Sequence, residues 1–146
     1  MIEGKDIAWN LTPDLLMANF QPDKTVVWFG VLKENVVFKN DQGTTMALFL
    51  FENHQMKNSS PASLNEPLLV RKSGAGNFVV YLEFKTLEPD EVRSNMLDKL
   101  KHPQYAIVVG RPAQLGEFGA GVPSVMLYTD KMELSDEMVV QFEASE

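Results

Sequence analysis

Tyr105–Leu134, YAIVVGRPAQLGEFGAGVPSVMLYTDKMEL, reads as a strand (Tyr105–Gly110), a glycine-punctuated connection and a second strand (Pro123–Leu134). It follows a helical stretch that stops at Pro103. Two long strands set after a helix are the back half of a small closed β-barrel, so the front half must lie upstream. Thr25–Lys33, TVVWFGVLK, supplies it, being rich in the β-branched and aromatic residues that fit a pleated surface. The run continues through Val36–Phe38 to Asn40-Asp41-Gln42-Gly43, a hairpin turn, and Thr44–Phe51 returns. Gly30 inside the first strand predicts a bulge or sharp bend, which lets one strand serve both sides of a barrel.

The rest of the chain fits around this frame. Thr12-Pro13-Asp14 is a helix start, with a hydroxyl cap, a proline at the first helical position and an acid in the first turn. The short helix it opens docks Leu15, Leu16 and Phe20 on the barrel and ends before Gln21-Pro22-Asp23. Asn53–Glu66 is a polar loop, and Leu68–Val70 a short edge segment. Ser73–Asn77 turns into a third strand, Phe78–Phe84. Pro89-Asp90-Glu91 opens a helix whose Val92, Met96, Leu97 and Leu100 form one apolar stripe. Lys99, Lys101 and His102 sit in its last turn, where cations complement unpaired carbonyls. Ser135–Glu146 is an acidic tail, in which Met138–Val140 and Phe142 can add a short strand.

The expected fold is mainly β: a five-stranded OB-fold-like barrel with a helix between strands 3 and 4 and a short N-terminal helix. All 146 residues form one domain, with the barrel core at 11–134 and the tail at 135–146.

Composition narrows the chemistry. The formal net charge of −7, with 13 basic residues, opposes the phosphate neutralisation on which nonspecific nucleic-acid binding depends. Nucleic acid is therefore not the expected partner; a protein or small ligand is. With no cysteine, disulfides, thiolate metal sites and a cysteine nucleophile are excluded. Met1–Asn10 has no signal-peptide pattern, and no apolar run approaches the roughly 20 residues that span a bilayer. The chain is expected to be cytoplasmic, or an envelope or periplasmic protein whose export signal was removed.

The run Val108-Val109-Gly110, Gly116-Glu117 and Pro123 resembles the C-terminal half of the starvation-inducible outer-membrane lipoprotein (Slp) family. The Thr12-Pro13 helix followed by Trp28-Phe29-Gly30 is similar in layout to the family's front half, so the resemblance covers about Leu11 to Leu134. It implies a bacterial envelope-associated binding or accessory protein with no catalytic residues to carry over. The family's lipobox cysteine has no counterpart here, so a lipid anchor is implied only where the N-terminus was trimmed.

Candidate sites are sparse. His54 and His102 are far apart and lack carboxylates at ligand spacing, so no metal is expected. His54, near Glu52, reads as a solvated loop histidine. Gly74, Gly76, Gly110, Gly116, Gly119 and Gly121 lie between strands without a following Gly-Lys-Ser/Thr, and so supply positive φ at turns rather than a phosphate loop. Ser59, Ser60 and Ser73 have no His/Asp partners. No catalytic residue, cofactor or enzyme activity is expected.

Trp28, Phe29, Phe49, Phe51, Tyr81 and Phe84 form either the barrel core or a base-stacking platform beside Lys33, Lys39, Arg71, Lys72 and Lys85. Trp28 and Phe29, being adjacent, face opposite ways, so one is expected to point outward. The expected mouth lies between Asn53–Glu66 and Gln114–Pro123. The residues placed nearest a ligand are Trp28, Phe29, His54, Arg71, Lys72, Tyr81, Arg111 and Phe118. The alternative function is a single-stranded nucleic-acid-binding module.

Overall fold

A computed structural model describes residues 11–56, 68–94, 105–118, 122–135 and 140–143. Helix α1 spans Pro13–Ala18, and strands β1 and β2 span Val26–Lys39 and Thr45–Asn53. β3 (Leu68–Arg71), β4 (Asn77–Phe84) and helix α2 (Pro89–Val92) follow. β5 (Tyr105–Phe118), β6 (Val122–Ser135) and β7 (Val140–Glu143) complete the order.

Five strands close a barrel in the order β1-β2-β4-β6-β5, and β3 and β7 form a separate two-stranded sheet. Closure depends on β1 pairing twice. Val26–Val31 lies antiparallel to β5, and Gly30–Lys39 lies antiparallel to β2. The barrel's one parallel seam is short, joining Phe78–Val80 of β4 to Val125–Leu127 of β6.

Local chemistry explains the first hairpin. The Asn40 side-chain oxygen accepts from the N–H groups of Gln42 (3.0 Å) and Thr44 (2.9 Å), the self-bonded turn that asparagine favours. Gly43 then takes φ +79°, beyond ordinary L-residue conformations.

The interior is aromatic. Phe49, Phe51 and Phe78 are fully buried; the Phe51 and Phe78 rings stack at 5.3 Å, and Trp28 lies 5.0 Å from Phe78. The two helices sit at opposite ends of β4. Asp14 N–H donates to Ala75 just before β4, and Trp28 Nε1 donates to Leu11 O at 2.8 Å. Beyond the far end of β4, the Arg93 guanidinium donates to Val37 O at 2.7 Å, and Val92 is buried in the core.

Several expectations need correction. The β1 bulge falls between Leu32 and Glu34, not at Gly30. Gly30 instead admits the core: a Cβ there would lie 2.7 Å from Phe51 Cβ and 2.9 Å from Phe78 Cζ. Gln114–Phe118 is not a mouth loop but strand, paired with Val122–Met126. Pro112 is tolerated because the register shifts beside it, a place where a missing N–H costs little. Gly110 and Gly116 accordingly lie inside β5 rather than in turns, and Gly43 and Gly76 carry the positive φ angles among the described residues.

Leu15 is 53% exposed, because a helix of six residues turns only one face inward and Leu16 occupies it. Trp28 and Phe29 do face opposite ways, yet neither points to solvent. Trp28 enters the barrel, and Phe29 is buried on the outside beneath β3 and β7. The expected helical stripe beyond Ser94, His102, Gly119, Gly121, Met138 and most of the Asn53–Glu66 loop lie outside the described residues.

Candidate binding surface

Alternation along a strand sends every second side chain out of the barrel. On β2 the inward set is Ala47, Phe49 and Phe51, so Met46, Leu48 and Leu50 face outward. Register extends this outer face in rows. Val36 of β1 pairs with Leu48, which pairs with Tyr81 of β4. Phe38 pairs with Met46, which pairs with Glu83. Leu50 pairs with Val79, which pairs with Met126 of β6.

Leu48 and Met126 pack against Leu50 and Val79 and bury them. Around that small outer cluster the large side chains stay open: Tyr128 is 53%, Val36 42% and Phe38 39% exposed. Tyr81 meets Tyr128 edge to face, centroids 6.2 Å apart. Glu34 and Glu83 border this apolar field, and Arg111 pairs with Tyr128 at the β5 side.

Partial burial of the Tyr81 phenol raises its pKa, with further contributions from Tyr128 and Glu83. The folded chain therefore holds this proton more tightly than the unfolded chain. The associated stability is complete below the ordinary value of 10.0 and is lost as pH rises through the higher folded value. Tyr81→Phe should remove a late component from the alkaline absorbance titration of the tyrosines. A removed component at the ordinary position would contradict this environment.

Past Leu50 the outer side of β2 leads into a polar cluster that starts at Glu52, paired with Val31 of β1. His54 is buried where the chain leaves β2, not solvated as its polar surroundings suggest. Its Nδ1 donates to Arg71 O at 2.8 Å, and its Nε2 lies 2.9 Å from Glu52 Oε1, which also meets Lys33 Nζ at 3.5 Å. Both ring nitrogens are thus committed to protein oxygens. The ring can bind a metal or take a substrate proton only by breaking one of those contacts. No group of three potential metal ligands occurs among the described residues.

The eight residues placed nearest a ligand therefore divide. Trp28 and Phe29 are buried, and His54 joins Arg71 through the carbonyl of Arg71, with Lys72 exposed beyond it. Tyr81 lies with Arg111 on the outer face across Tyr128, and Phe118 ends β5, its side chain outside the described set. The sequence reading missed Val36, Phe38, Leu48 and Tyr128. Val36-Val37-Phe38 is apolar throughout, so no alternation marks which members face out. Tyr128, directly after inward Leu127, carried the one usable signal.

Among the described residues no helix is long and apolar enough to cross a membrane. No family model matches the chain, and no curated protein matches it. Among solved structures, the chain is similar to a small single-stranded DNA-binding protein from Streptomyces coelicolor. That similarity has 11% sequence identity and a TM-score of 0.49, covering 80% of this chain and 95% of that one.

Proposed function

We propose that the chain is a non-enzymatic binding module on an OB-like barrel, docking a protein partner against the outer face of β1, β2, β4 and β6. The OB-like reading rests on strand order. Counting barrel strands alone, the order is first, second, third, fifth, fourth, with a helix starting between the third and fourth. The observation that carries the docking reading is the exposure of Val36, Phe38 and Tyr128 around the outer apolar cluster of Leu48, Leu50, Val79 and Met126. Patches of this kind mark interaction sites, and one on the outside of a barrel suits a macromolecule better than a small ligand, which favours concavity. Glu34, Glu83 and the net charge of −7 disfavour a phosphate backbone there. The Slp resemblance supports an envelope location, which the N-terminal peptide mass of protein fractionated from its own cells tests.

The double variant Val36→Glu/Tyr128→Glu should stay folded, since exposed substitutions typically change stability by about 0.5 kcal/mol or less each. It should lose the partner that wild type retains from its own cells at both low and high salt, an affinity loss on the order of thirtyfold or more. Equal retention by both proteins would overturn the reading.

One observation favours nucleic acid as a second reading. The Tyr81–Tyr128 pair offers aromatic surface on the face through which OB-folds hold single strands. Titration of a labelled oligothymidylate at low salt separates the two. Binding that collapses as salt is added would replace the protein-partner reading.

A further inference from the structure

Outside the β1–β5 seam, β7 lies on a seat formed by other elements. β3 has neighbours on both sides: Met56 bridges Val70, and Arg71 N–H donates to Gln55 O at 2.9 Å. Among the described strands, β7 pairs with β3 alone, in parallel, through Leu68↔Val140, Leu69↔Gln141, Val70↔Phe142 and Arg71↔Glu143. Its apolar side chains alternate. Val140 packs on the cluster of Phe29, Leu68 and Val70. The Phe142 ring sits 5.2 Å from His54 and 6.3 Å from both Phe29 and Tyr105.

The seat is built without β7. Phe29, Tyr105 and Ile107 are held by the β1–β5 ladder, and His54 is held by Glu52 and Arg71 O. The occupant is held less firmly: a two-stranded parallel ladder of four pairs is marginal by itself, and Phe142 remains 38% exposed. β7 should therefore open at a lower free energy than the barrel strands. The vacated groove then fits an extended segment with an apolar residue, an aromatic two positions later and a backbone free to pair with β3.

We propose that this groove is a strand-docking site and that its occupant in trans is β7 of a second copy, giving a strand-exchanged dimer. Exchange of an identical element re-forms every native contact, so it costs little. This proposal concerns the outside of the β1–β5 seam, uses none of Val36, Phe38 or Tyr128, and stands independently of the docking reading.

Light scattering on the full chain tests it. Wild type should pass from the 16.4 kDa monomer to twice that mass as concentration rises. A labelled peptide, VVQFEAS (Val139–Ser145), should bind the full-length Phe142→Ala chain about tenfold or more tighter than wild type, whose own strand competes for the groove. Excess peptide should convert wild-type dimer into peptide-bearing monomer, a result that needs no variant. Val36→Glu/Tyr128→Glu should still dimerise. A monomer at every concentration, a dimer abolished by the outer-face variant, or peptide that leaves the dimer intact would each overturn the proposal.

Discussion

Gly110→Ala is expected to destabilise the barrel by about 3 kcal/mol or more, the upper end of what overpacking costs. A Cβ at this position would run into the Tyr128 carbonyl oxygen and lie 3.0 Å from Leu127 Cγ. A leucine side chain can rotate away, but a carbonyl inside a strand ladder moves only with its strand. The position makes that movement costly, since Gly110 pairs with Val26 of β1 and with Thr129 of β6 at a register shift. Here β5 leaves β1 and continues with β6 alone. Urea unfolding should show a lower midpoint with an unchanged slope, and thermal unfolding a fall of roughly 10 °C. Gly116→Ala is the internal control, because its nearest neighbour would be Met126 Cγ at 3.5 Å, an ordinary contact. Equal, small losses for both variants would contradict the close approach at Gly110.

Phe78→Ala should cost about 3–5 kcal/mol, the range for deleting a fully buried phenylalanine. Its ring joins Trp28 at 5.0 Å to Phe51 at 5.3 Å, so its removal takes one packing face from each. The site has little room to collapse, since Phe78 starts the short parallel seam with Val125. Phe38→Ala, on the outer face at 39% exposure, should cost far less although the chemistry deleted is identical. Coupling to Gly30 sharpens the test. Phe78 Cζ is one of the atoms that a Gly30 Cβ would strike, so Gly30→Ala should be less harmful in the Phe78→Ala background than in wild type. Strict additivity would mean that the two do not share this space.

The barrel strands and the first hairpin were legible because their signals are local. β-branched and aromatic runs, turn residues such as Asn40 and Gly43, and the Thr12-Pro13 cap act over a few neighbouring positions. The candidate site was less legible. Tyr81 and Arg111 were picked out individually, but Tyr128, which joins them, was not, since their proximity depends on pairing between strands far apart in the sequence. His54 reads as a solvated residue from its polar neighbours. Its burial comes from Arg71 and from Phe142, which lies 5.2 Å away in space on a strand far along the chain.

Sequence alone thus determined the strand-rich class, the positions of most barrel strands, the turn of the first hairpin and the absence of cysteine chemistry, because each follows from side-chain type and local spacing. It also required that Trp28 and Phe29 point to opposite faces. Only the tertiary structure decided that both faces are covered, one by the barrel interior and the other by β3 and β7. It also decided that Gly30 and Gly110 are demanded by close approach rather than by turning, and that Val36, Phe38 and Tyr128 remain open on the outer face. Burial is a property of what packs against a side chain, and here the partners are brought together by pairings such as Leu68 with Val140, which no local pattern encodes.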